Sequence, residues 1–232
     1  MLIGVLGVAA SNYFYYLAIQ KTNVATAIVL QYTAPVWVLL YMVARRAQRA
    51  TALRMISIGL AMLGVALVID LFGGGGWKIN RIGVIAALLA SLSFACYNVF
   101  GGALVQKHDR WKALTYVLLG TVLFWLLVNP PWRVVAAHYS GRQWMFLAVF
   151  SITSVLLPFS LYFSGLHHLD PTRAIVTSCM EPVFSIAIAA MALGELIGPV
   201  QIVGMVLVLA ATLMVQIPDR KGEPAVAVEP ME

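Results

Sequence analysis

The chain has 232 residues, of which 62% are hydrophobic and 10% charged, and 15 Lys and Arg against 9 Asp and Glu leave a formal net charge of +6. A soluble domain has about a quarter of its residues charged, so an ordinary water-soluble fold is excluded. The positive excess forms no continuous stripe and no aromatic-interleaved patch, which excludes nucleic acid as a partner.

The mean hydropathy of +0.91 comes from long apolar stretches between islands of charge. In chain order these stretches are Leu2–Gln20, Val24–Ala44, Met55–Ile69, Ile82–Val105, Ala113–Val128, Trp144–Leu166, Ala174–Leu193 and Leu196–Ile217. A helix needs roughly 17 to 25 residues to cross the hydrocarbon, and backbone polar groups in lipid must pair within their own segment. The stretches therefore predict an all-α integral membrane protein with eight transmembrane helices. The third and fifth are short; Arg54 and Asp70 can snorkel at the ends of the third, and the fifth continues toward Pro130 and Trp132. No alternation of β-barrel type occurs.

The run from Leu2 has no basic segment before it and continues into a full span, so it reads as a retained helix rather than a cleaved signal. Cys96 and Cys179 fall inside spans and read as buried thiols. Gly73–Gly76 lacks the Lys-Ser/Thr of a phosphate loop and reads as part of an external linker over residues 73–81. Residues 218–232 are rich in Pro, Glu and Ala and read as a disordered tail.

With an even number of spans, both termini share one side. On that side lie ten basic residues: Arg45, Arg46, Arg49, Arg54, Lys107, Arg110, Lys112, Arg173, Arg220 and Lys221. The other side has five, Lys21, Lys78, Arg81, Arg133 and Arg142. The richer side, with both termini, is expected to be cytoplasmic.

The chain also repeats itself. Tyr15–Val36 lies on Tyr162–Val183 without a gap, matching Tyr15 with Tyr162, Ala27 with Ala174, Val29 with Val176 and Pro35-Val36 with Pro182-Val183; after a shift of two, Gly59 falls on Gly204. The copies start at spans one and six, an odd offset, so they cross the membrane in opposite senses. Such an inverted-topology repeat is a device of secondary transporters.

Gly165 before Asp170-Pro171-Thr172, then Ala174 onward, Glu181-Pro182-Val183, Gly194-Glu195 and Gly204 give the second half its pattern. That pattern resembles the EamA repeat of the drug/metabolite transporter superfamily. The resemblance makes residues 82–217 a complete five-helix unit and residues 1–72 the last three helices of another, lacking two N-terminal helices. A second departure is that Ala47-Gln48 aligns with the Gly-Glu of the second unit. The resemblance implies a membrane transporter of a small organic metabolite or amino-acid-like solute, acting as an exporter in the inner or plasma membrane, without cofactor or enzymatic activity. The rival reading is a non-transporting fragment, or a partner subunit that completes its bundle with another chain, for example as a homodimer.

Of the charged residues, Glu181 is the one in the interior of a span, which points to a carboxylate facing a cavity and able to exchange protons. Thr177, Ser178, Glu181 and Ser185 share an arc of one helix, and Pro182 frees the Ser178 carbonyl. Other polar stripes carry Asn12, Tyr13, Tyr16 and Gln20 on span one, Gln31 before Pro35 on span two, Ser91 and Asn98 on span four, and Ser151, Ser154, Pro158 and Tyr162 on span six. The substrate or coupling candidates are Glu181, Thr177, Ser178, Ser185, Asn12, Tyr16, Gln31, Asn98, Ser154 and Tyr162. Helix packing through small and hydroxylated residues is the alternative for each. Tyr13, Tyr32 and Tyr97 either cap a cavity or fill interfaces. His167 and His168 beside Asp170 lack the further ligands a metal needs. Ser164 lacks the glycine two residues earlier that a nucleophile turn wants. Glu195 at a helix end reads as structural or gating.

Overall fold

The computed structural model describes residues 1–71, 80–193 and 196–217. Gly73–Gly76, Lys78, Gly194, Glu195 and the tail from residue 218, with Arg220 and Lys221, lie outside the described residues. Among the described residues the chain is all-helical, with no strand. Among the described residues six helices are long and apolar enough to cross a membrane: Val24–Ala44, Arg81–Lys107, Arg110–Val128, Gly141–His168, Pro171–Ala192 and Pro199–Gln216, with Ala52–Val68 a shorter apolar helix. The first stretch is also helical, a π-helical segment Gly4–Ala9 running into α1 (Ala10–Lys21).

Two of the stretches expected as continuous spans are each split by a two-residue turn. Val24–Ala44 divides into α2 (Val24–Gln31) and α3 (Ala34–Ala44), and Ala174–Leu193 lies across α10 (Pro171–Ser178) and α11 (Glu181–Leu193). Pro35 and Pro182, near the start of α3 and α11, have no N–H for the ladder and clash with the preceding turn. Hydroxyls complete the break: Thr33 Oγ1 donates to Leu30 O at 2.7 Å and Ser178 Oγ to Ala174 O at 3.1 Å. Glu181 accordingly opens a half-helix instead of sitting at the centre of a long one.

The remaining elements are α4 (Ala52–Val68), α5 (Arg81–Lys107), α6 (Arg110–Val128), the short α7 (Pro131–Val135), α8 (Gly141–Ser151), a second π-helical segment Ile152–Leu156, α9 (Leu157–His168) and α12 (Pro199–Gln216). Local signals fall in the gap-free register that lays Tyr15 on Tyr162. The α2 and α10 N-caps are Asn23, which accepts from Thr26 N at 2.7 Å, and Asp170, which accepts from Arg173 N at 3.0 Å. The two breaks and the two π-helical segments coincide in the same register.

Small residues set the closest packing, as is usual where helices meet without a hydrophobic drive between them. The most extensive pairing is α4 with α12. A Cβ on Gly64 would lie 2.9 Å from Gly204 O, and one on Gly204 would lie 2.7 Å from Gly64 O, so each glycine admits the other's backbone. Around this crossing Tyr32, Leu39, Ile58, Val65, Val176, Cys179 and Val208 form one buried cluster. A second gathers Val8, Tyr97, Val117, Phe163 and Leu166 where α5 and α6 meet the first helix and α9. Both cysteines are free thiols, Cys179 buried and Cys96 half-buried.

Candidate functional site

The two helix breaks face each other. Tyr32, the residue after α2, is 7% exposed and sends its hydroxyl across to the second break, 3.1 Å from Glu181 Oε2 and 3.4 Å from Ser178 O. A phenol has one proton to give, so Tyr32 bonds one of these at a time, and the carboxylate is the closer. The Ser178 carbonyl that Pro182 frees is the alternative acceptor for the same proton. Glu181 itself is exposed, and Tyr15 of α1 lies within electrostatic reach of its carboxylate.

Ser178 extends the cluster in the other direction. Its Oγ lies 3.5 Å from the Tyr162 hydroxyl of α9, whose ring stacks on Tyr97 with centroids 5.4 Å apart. Beside the Tyr162 hydroxyl sits the fully buried side-chain amide of Asn98 of α5. The assembly runs from an exposed carboxylate through tyrosine and serine hydroxyls to a buried amide. Among the described residues it offers one carboxylate, several hydroxyls and an amide, and no fixed cation.

The other candidates from the sequence lie elsewhere or turn away. Ser185 is exposed and donates to Glu181 O at 2.9 Å. Thr177 donates to Arg173 O and accepts from Gln216 Nε2 at 3.2 Å, facing α12. Gln31 bonds Ser11 Oγ at 3.4 Å and Ser11 bonds Ala90 O, a polar link among α2, α1 and α5. Asn12 is half-buried on α1, and Tyr16 lies on an exposed face with its ring 6.4 Å from Trp125 of α6. Ser154 is exposed within the second π-helical segment. Ser164 donates to Ser160 O and accepts from Arg110, with neither neighbouring histidine as its partner.

Sequence reading passed over two members of the cluster. From the sequence Tyr32 either caps a cavity or fills an interface, and Tyr15 enters only through the repeat match; the usable signal is that Tyr32 directly precedes the Thr-Ala-Pro break. A further polar knot was also missed. Gln48 Nε2 donates to Asp170 Oδ1 at 3.0 Å, Thr172 Oγ1 to Gln48 Oε1 at 2.7 Å, and Asp170 pairs with Arg173 at 3.2 Å. It ties the turn after α3 to the start of α10. An open apolar cleft of about 520 Å³ between α6, α7 and α8, lined by residues such as Trp125, Val134 and Trp144, shares no residue with the Glu181 cluster. Among the described residues no group of His, Cys, Asp or Glu is arranged to hold a metal ion.

The arrangement has relatives. Residues 1–70 and 81–217 match the EamA-like transporter family. The uncharacterized inner membrane transporter YicL of Salmonella typhimurium strain LT2 is 22% identical over 225 residues, 95% of this chain and 73% of that protein. The threonine/homoserine exporter RhtA of Salmonella typhimurium strain SL1344 is 27% identical over 212 residues, 90% of this chain and 68% of that protein. A crystal structure at 16% identity superposes with a TM-score of 0.77 over 93% of this chain and 75% of its own, which shows a shared fold. Helices able to cross a membrane and a family match over most of its length lead to one conclusion: the chain belongs to the EamA-like transporter family, a membrane transporter and not an enzyme.

Proposed function

We propose that the chain carries a small organic, amino-acid-like solute outward across the plasma or bacterial inner membrane, exchanging it for protons at Glu181. The observation that carries this reading is the meeting of two helix breaks at one carboxylate, with Tyr32 from one break bonded to Glu181 of the other. Broken helices that expose half-helix ends to a shared site are how secondary transporters bind solute and coupling ion. Paired breaks, paired caps and paired π-helical segments in one register support an inverted repeat of three helices (residues 1–72) and five (residues 82–217). The ten-to-five division of basic residues supports cytoplasmic termini. The exporter RhtA supports the solute class and direction, and YicL supports the inner membrane.

The test is Glu181→Gln beside Glu181→Leu in liposomes loaded with radiolabelled solute. The expected result is a folded, inserted Gln variant with transport reduced at least tenfold and no response to a pH gradient. Unimpaired, still pH-dependent transport by that variant removes Glu181 from the mechanism.

One observation favours a second reading, a bundle completed by further helices. Among the described residues α8 and the π-helical segment after it make no extensive contact with any helix outside their own span, and Trp144, Met145, Phe146 and Phe150 are exposed. In that reading another chain, or a second copy, covers the face. Mass measurement of the purified protein in detergent distinguishes a monomer from the assembly.

A further inference from the structure

We infer that the Glu181 site selects a solute with a cationic amine and no carboxylate, such as an amino alcohol or simple amine, over a zwitterionic amino acid. The inference rests on the solute-carrier reading above and replaces its amino-acid-like solute by an amine that lacks the carboxylate. Its basis is a charge inventory. The assembly of Glu181, Tyr15, Tyr32, Ser178, Tyr162 and Asn98 contains one carboxylate and otherwise neutral hydroxyls and an amide. Among the described residues no basic side chain pairs with Glu181. Arg173, one turn before Thr177, is held by the Asp170 carboxylate and by Val215 O at 3.2 Å.

An ammonium group satisfies what the site offers. It supplies the missing positive charge, gives its N–H donors to the carboxylate and hydroxyl oxygens, and meets electron-rich tyrosine rings. A solute carboxylate finds no counter-charge there. Half-helix N-termini are the usual alternative seat for an anion, and both at the breaks are compromised. That of α11 carries Glu181 in its own first turn, which repels an anion. That of α3 begins with Ala34 and Pro35, both buried, and Pro35 has no N–H to offer. The zwitterion brings its own carboxylate close to Glu181 with no counter-charge to offset the repulsion, while gaining nothing over the amine at the other end.

Three probes on one scaffold isolate the charge: L-threoninol (cation), L-threonine (zwitterion) and N-acetyl-L-threonine (anion). Binding to the purified full chain is measured by calorimetry in detergent, and flux of the same probes in liposomes. The expected order is threoninol at least tenfold tighter than threonine, with N-acetyl-threonine not bound. Glu181→Gln should erase the preference, and Tyr32→Phe, which keeps the charge and the ring, should weaken threoninol severalfold while retaining the order. Threonine binding as tightly as threoninol overturns the inference, as does failure of threoninol to bind or a preference unchanged in both variants. Flux of threonine without charge preference also overturns it while leaving the carrier reading standing. Binding in the stated order without any flux supports the charge selection and removes the carrier reading.

Discussion

The helix over residues 2–21 and the helix Gly141–His168 fall in one sequence register, yet their surroundings differ sharply. The first is flanked by α5 along α1 and by both α5 and α6 along its π-helical segment. Of the second, 6% of the most apolar window is buried, against 50% for Arg81–Lys107. Gly4 and Gly7 explain how the first is covered: a Cβ on Gly7 would lie 2.8 Å from Tyr97 Cβ, and one on Gly4 would run into the Val117 carbonyl. The register puts Ser151 and Ser154 at those two positions in the second helix, small residues that are both exposed.

Local signals thus dictate local structure twice, while coverage depends on which neighbours the rest of the chain supplies. The same contrast holds at the breaks. Register places Ala34, fully buried, where the second copy has the exposed Glu181. The carboxylate sits on the copy whose flank is open.

The largest expected effect tests that asymmetry directly. Ala34→Glu should destabilise by about 3 kcal/mol or more, because it buries a charge with no partner. Glu181→Ala should cost within about 1–2 kcal/mol, the value of the hydrogen bond from Tyr32. Denaturant unfolding in detergent reports both, and similar losses for the two would show that the flanks are equally closed.

The helix seats come next. Gly4→Leu should cost roughly 1–3 kcal/mol by overpacking against α6, whereas Ser151→Leu, on the bare face, should stay within about 0.5 kcal/mol. If Ser151→Leu proves as damaging as Gly4→Leu, the bare face is occupied in solution. The mass of the detergent-purified protein then identifies the occupant as a second copy.

How far the fold was legible follows from which signals are local. The stretches were plain because apolar runs of span length have one solution in lipid. The full breaks were not, because Pro35 and Pro182 predict kinks and the hydroxyl contacts that finish the interruption appear only with the backbone in place. The π-helical segments GVLGVA and ITSVL share no residue pattern that marks them. In the site, Glu181, Ser178, Tyr162 and Asn98 were recognisable by type and position. Gln31, Tyr16 and Ser154 have equally suitable chemistry and face elsewhere, since a helical arc fixes a face but not the neighbour it meets. Tyr32 was the reverse case, an unremarkable aromatic whose partner lies in the other half of the chain.

The smallest effect compares the two caps. Asn23 and Asp170 each satisfy a backbone N–H at the start of equivalent half-helices. Removing a cap typically costs about 1 kcal/mol, and Asn23→Ala should fall near that value. Asp170 also accepts from Gln48 and pairs with Arg173, and its side chain is 6% exposed. Asp170→Ala therefore strips a cap, a side-chain hydrogen bond and the counter-charge of a half-buried arginine, and should cost about 2–3 kcal/mol. Asp170→Asn separates these contributions, since the amide keeps the cap and the bond from Gln48 but loses the charge. If Asn restores most of the stability, the polar knot works through hydrogen bonding and is insensitive to salt. If Asn behaves like Ala, the ion pair with Arg173 dominates, and the Asp170 protein should lose stability as salt is raised while Asn23→Ala does not change that response.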